Sequence, residues 1–188
     1  MIELINAGEG RNWVELMERL TEGKTRGTQV VSPSKAVSHG EEFRIGDHTF
    51  RIHYYGKAHT TSDIMVEIPE ASVTFLGDNV LNERLPRLDD GNIQGNIQAC
   101  TNILGTNSTV YVPGHGPTGD KAVPERFRSY LEILYTSVKR YYEEGMSDFE
   151  MKTQVAEALK DYADWSGFDE QIGKHISLAY LQIEEAEF

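Results

Sequence analysis

Apolar positions change their spacing several times along this chain. From Phe43 to Tyr55 they alternate, as Phe43 and Ile45, then Phe50, Ile52 and Tyr54, with Gly46-Asp47 between the runs. That pattern predicts a β-hairpin closed by a two-residue turn. Asp63 to Ile68 predicts a returning strand ended by Pro69-Glu70, and Val73 to Leu76 predicts another. The spacing then lengthens to three and four residues, and Ile93, Ile97, Cys100 and Leu104 mark one face of a helix. A short apolar run, Thr109 to Val112, predicts a further strand closed by Pro113-Gly114.

Ahead of the hairpin, residues 2–5 predict a short strand, and Trp13, Leu16, Met17 and Leu20 predict one buried helix face before Gly23 and Gly27. Beyond it, Phe127, Tyr130, Leu134, Val138 and Tyr141 mark a long amphipathic helix, with Pro124 near its first turn and Gly145 after its end. Ser147-Asp148-Phe149-Glu150 has capping-box spacing ahead of a helix carrying Met151, Val155, Leu159 and Tyr162. Asp169 is expected to cap a third helix, with Ile172, Ile176, Ala179 and Ile183 on one face. The fold class predicted is α/β (α+β), a mixed sheet with helices on one face and a helical C-terminal tail. A single domain is expected over 1–188: an N-terminal strand and helix in 1–27, the sheet and its loops in 28–120, and helices in 121–188.

Composition narrows the function. Eighteen Lys and Arg against thirty Asp and Glu leave a net charge of −12, which repels phosphate backbones and anionic membrane surfaces, so neither nucleic acid nor a membrane is expected as a partner. Cys100 is the single cysteine; its place on the helix stripe makes it a packing residue, and no intrachain disulfide is possible. The start MIELINAGEGRNW carries neither a basic segment nor a long apolar run, and no stretch approaches the ~20 apolar residues of a membrane span. The expectation is a cytoplasmic protein.

Three polar segments fall where strands end: Gly56-Lys57-Ala58-His59-Thr60-Thr61-Ser62-Asp63, Gly77-Asp78-Asn79 and Pro113-Gly114-His115-Gly116-Pro117. If the hairpin strand 48–55 is followed by antiparallel 63–68, then 72–76 runs back and a right-handed helical crossover brings 109–112 parallel to it. All three loops then open on one edge of the sheet. Two imidazoles and a carboxylate meeting there form a facial site for zinc, iron or manganese. Taken singly, each segment also reads as an ordinary turn.

The order Ala-His-Thr-x-x-Asp, then Phe-Leu-Gly-Asp-Asn-Val, then Val-Pro-Gly-His-Gly-Pro resembles the second half of metallo-β-lactamase-superfamily hydrolases, including glyoxalase II-like and quinoprotein-relay metallohydrolase-like members. The likeness covers about residues 28–188 and reaches the tail at Tyr130-Leu131, Gly145, Tyr180, Glu184 and Glu185. It implies half of an αββα sandwich, with His59 in a first metal site, His115 in a second and Asp78 bridging them. Asp63 would be a structural residue behind His59, and Asn79 a neighbour of the pocket. Complete members also carry a His-x-His-x-Asp-His segment. Here the histidines are 39, 48, 53, 59, 115 and 175, no two separated by a single residue, and His39, His48 and His53 do not fit as replacements.

Two classes of function follow. In one, a truncated half-domain keeps a residual His/Asp/His site that binds zinc weakly or not at all, without ordinary binuclear hydrolysis as a single chain. In the other, an active metal-dependent hydrolase of an ester, thioester or lactone has its site completed by one metal or by another chain. A sheet with one uncovered apolar face also predicts a homodimer.

Overall fold

Residues 2–5 open the chain as helix, where their apolar content predicts a strand. In the computed structural model, which describes residues 2–187, α1 (Ile2–Leu4) leads into a π-helical turn (Ile5–Glu9) and α2 (Gly10–Leu20), kinked at Gly8 with φ 121. These elements belong to a unit of their own, Met1–Val37, separate from Ser38–Phe188. A lone strand leaves its backbone groups unpaired, and this unit holds no other strand among its described residues. A helix satisfies those groups locally. The stripe Trp13, Leu16, Met17 and Leu20 does share one helix, but it is not buried as its spacing predicts: Trp13 is 60% and Leu20 66% exposed. So small a unit has no core to bury it in.

In the second unit the alternating segment forms the predicted hairpin. Strands β1 (Glu42–Ile45) and β2 (His48–His53) pair antiparallel with Phe43 opposite Phe50, and Gly46 turns the chain at φ 61, a conformation glycine takes freely. β3 (Met65–Ile68) and β4 (Val73–Gly77) continue antiparallel, and β5 (Val110–Pro113) lies parallel to β4, giving the order β1-β2-β3-β4-β5. A parallel neighbour requires a crossover, and α3 (Ile93–Ile103) occurs within it. Asn92 caps α3 by accepting the Gly95 N–H at 2.7 Å.

Alternation decides the two faces of this sheet. Met65, Glu67, Thr74, Leu76 and Tyr111 point to one side and are buried. That side holds the core, built with α3, α4 (Ala122–Glu143) and α6 (Phe168–Glu185); α4 packs against both α3 and α6. The opposite side carries Phe43, Ile45, Phe50, Val66, Ile68, Val73, Phe75, Val110 and Val112, of which Ile45 is 62% and Phe75 44% exposed. This mixed five-stranded sheet with its helices corresponds to half of an αββα sandwich.

The tail departs from its pattern in two places. Met151, Val155, Leu159 and Tyr162 are all buried as expected, but α5 (Lys152–Ala158) gives way to a 3-10 turn (Lys160–Tyr162). Ser147 does donate to Glu150, from its N–H at 2.9 Å and its hydroxyl at 2.6 Å, yet this closes a turn ahead of α5 and caps nothing. Asp169 lies inside the first turn of α6; the cap position is Gly167, left-handed at φ 81, with no side-chain bond. A carboxylate there still favours the positive end of the helix.

Candidate metal centre and its cleft

Each sequence-predicted residue lies in a loop fastened by short backbone bonds. After β2, the Ala58 N–H donates to the Thr60 carbonyl at 3.0 Å and the His59 N–H to Asn79 Oδ1 at 3.3 Å. The Thr60 hydroxyl donates to Asp63, and the Ser62 N–H donates to that hydroxyl at 3.2 Å. Asp63 therefore holds the His59 loop through Thr60, and Asn79 holds it from the neighbouring strand end.

Asp78 leaves the sheet at an irregularity. The β4–β5 register shifts between Phe75 and Gly77, and Gly77 is left-handed at φ 54. The Gly114 N–H donates to the carbonyls of Gly77 at 2.9 Å and Val80 at 3.1 Å, so the loops after β4 and β5 lie against each other. A Cβ at position 114 would stand 2.1 Å from Asp78 Oδ1, so only glycine fits beside this carboxylate.

These loops bring His59, Asp78 and His115 together. His59 Nε2 lies 3.9 Å from Asp78 Oδ2, and His115 Nε2 lies 3.6 Å from Asp78 Oδ1. The carboxylate stands between the imidazoles and offers each a different oxygen. The arrangement is a string and not a cage: among the described residues no three His, Cys, Asp or Glu side chains surround one point closely enough to hold an ion. His59 Nδ1 is buried and has no hydrogen-bond partner.

The string borders a cleft of about 310 Å³ whose wall also includes Leu85, Pro86, Arg84, Arg87 and Gln171. None of His39, His48 and His53 lines it. His53 is committed elsewhere, 2.9 Å from both Glu67 Oε2 and the Tyr55 hydroxyl. Arg87 pairs with Asp89 at 3.1 Å, whereas Arg84 has no ion-pair partner among the described residues. Two guanidinium groups thus face one cleft of a chain whose net charge is −12.

Behind the wall sits His175. Its Nε2 lies 2.9 Å from the Pro86 carbonyl and its Nδ1 2.7 Å from the Tyr130 hydroxyl. A carbonyl can only accept, so Nε2 carries the proton and Nδ1 accepts from Tyr130. Burial lowers the His175 pKa to about 4 and pushes that of Tyr130 well above its usual value. Sequence reasoning missed Asn82, Arg84 and Arg87, which closely follow Asp78 and could have been suspected on that ground alone. It also missed Gln171 and His175, which belong to a helix face that reads as ordinary packing.

The family model of the metallo-beta-lactamase superfamily matches residues 3–115, more than half of the sequence, and the chain belongs to that superfamily. The match begins well before residue 28, where the sequence motifs alone start the likeness. Among solved structures, the stereoselective inverting sec-alkylsulfatase Pisa1 from Pseudomonas sp. is similar at a TM-score of 0.67 and 12% identity, over 82% of this chain and 27% of that one. The metallo-beta-lactamase IND-7 is similar at 0.50 and 19%, over 55% and 50%, and the metallo-beta-lactamase from Pontibacter korlensis at 0.47 and 24%, over 63% and 55%. The chain therefore spans about half the length of these two lactamases. At such identities the first two likenesses show the fold alone. No curated protein matches the chain.

Proposed function

We propose that this chain is the His/Asp/His-bearing half of a metal-dependent hydrolase domain, able to hold a divalent metal weakly but without ordinary binuclear turnover as a single chain. The observation that carries the reading is the place of Asp78, one oxygen towards His59 and the other towards His115. Two imidazoles flanking one carboxylate suit zinc, with iron or manganese as alternatives of the same donor set. They fit a carboxylate shared between two metal positions, with His59 at one and His115 at the other. The buried Nδ1 of His59 is a nitrogen that no group among the described residues satisfies. A bound metal ion would supply a water of lowered pKa and polarise a carbonyl or ester oxygen. Within the cleft, Arg84 and Arg87 would hold an anionic group of a substrate. The titratable side chains that line the cleft among the described residues, apart from its arginines, are the three proposed ligands themselves, so none of these residues offers a separate general base.

The arginine-lined cleft also favours a second reading, an active hydrolase of an ester, thioester or lactone whose site is completed by one metal or by another chain. Both readings are tested by zinc titration of chelator-free protein beside Asp78→Ala, with a screen of ester, thioester and lactone hydrolysis. The expected result is weak zinc binding that Asp78→Ala abolishes, without turnover. Equal binding by the variant defeats the metal centre. Zinc-dependent turnover by the single chain replaces the first reading with the second.

A further inference from the structure

His115 is the most exposed of the three residues and sits in a loop without regular secondary structure. Its nearness to Asp78 therefore needs a cause other than burial. Asn82, itself buried, supplies two bonds to that loop. Its backbone N–H donates to the His115 carbonyl at 2.9 Å, and its side-chain Nδ2 donates to the Pro117 carbonyl at 2.8 Å. Between them Gly116, at φ 95, passes so close that a Cβ there would lie 1.9 Å from the Asn82 carbonyl oxygen. The loop is gripped on both sides of Gly116 by one residue.

We infer that Asn82 is the positioning residue for His115, holding its imidazole at Asp78 before any metal arrives. The inference builds on the metal-centre reading for its consequence but not for its geometry. Pro117 has no N–H, so its carbonyl is the hydrogen-bonding group its backbone can offer. An asparagine amide donates to that carbonyl; an aspartate of the same shape presents an acceptor to an acceptor and drives the loop outward.

The test uses the full chain in metal-free form, with the His115 imidazole resonances assigned by their loss in His115→Gln. Asn82→Ala and Asn82→Asp should shift or broaden those resonances. Each should also weaken zinc binding about 10- to 100-fold, the usual effect of removing a residue that orients a metal ligand. Gln182→Ala is the structural control. It breaks side-chain bonds to Ile93 and Gly91 and should lower thermal stability while leaving the His115 resonances unchanged. In the wild-type chain the Asn82 side-chain amide protons should exchange slowly and show contacts to Pro117, a readout that holds even if a variant fails to fold. His115 resonances that superimpose on wild type in either folded variant overturn the inference, as do rapidly exchanging Asn82 amide protons. A wild-type chain that binds no zinc removes the metal centre instead, and the imidazole and exchange readouts still decide the role of Asn82.

Discussion

Lowering the pH should destabilise this protein through one buried histidine. The unfolded chain carries His175 at its ordinary pKa of 6.5, whereas in the folded chain burial lowers it to about 4. Between those values the unfolded state binds a proton that the folded state refuses. Stability is therefore complete above pH 6.5, falls as the pH drops through the window, and levels off below the folded pKa. At about 1.4 kcal/mol per unit the accumulated loss approaches roughly 3 kcal/mol. His175→Gln offers a donor for Pro86 without a titrating group, and it should be about 1–2 kcal/mol less stable near neutrality, because it cannot fully reproduce the bond with Tyr130. Urea unfolding followed by circular dichroism at about pH 7 and about pH 4.5 gives the two slopes. The wild type should lose roughly 2–3 kcal/mol more than the variant over that interval. Glu70, held near 2 mainly by the N–H and hydroxyl of Thr49, loses its contribution at lower pH and in both proteins alike. Equal pH dependence in the two proteins refutes the reasoning.

Gly114→Ala places a methyl group on the Asp78 carboxylate and on the Gly77 backbone, so thermal melts should show a loss of about 2 kcal/mol or more, together with lost zinc binding. Cys100 is fully buried and its pKa is pushed to about 12, so a thiol reagent should modify it only as fast as the protein unfolds; rapid labelling of the native chain contradicts this. The sheet face from Phe43 to Val112 carries no Asp, Glu, Lys or Arg on its strands, so two chains of charge −12 would meet there with least repulsion, and a twofold axis would let one face cover its own copy. Light scattering at low micromolar concentration should give twice 21.2 kDa, and Phe75→Lys should halve it; a wild-type monomer refutes the pairing.

The sheet was legible because its strands alternate cleanly and Gly46-Asp47 suits a two-residue hairpin turn. The meeting of His59, Asp78 and His115 was legible because glycines beside Asp78 and His115 mark sharp loops at strand ends. The first residues misled because three apolar residues in four, Ile2, Leu4 and Ile5, do not reveal whether a partner strand exists. Asp169 misled because a capping residue type two positions past the cap looks the same in sequence. The walls of the cleft were invisible for a different reason: Pro86 and His175 are joined across 89 residues, and no local spacing records such a meeting. No described helix is long and apolar enough to cross a membrane.

The N-terminus of α3 lies flush against the loop that carries His59. A Cβ at Gly95 would stand 1.9 Å from the Lys57 carbonyl, and the Asn92 N–H donates to the Ala58 carbonyl at 2.8 Å. Gln182 of α6 then clasps the same helix start, accepting from the Ile93 N–H and donating to the Gly91 carbonyl, each at 3.0 Å. His59 thus inherits the stiffness of the helical layer although it sits in a loop. An imidazole immobilised by folding loses little further freedom when a ligand binds, so the entropic penalty of recognition at His59 is mostly met before the ligand comes.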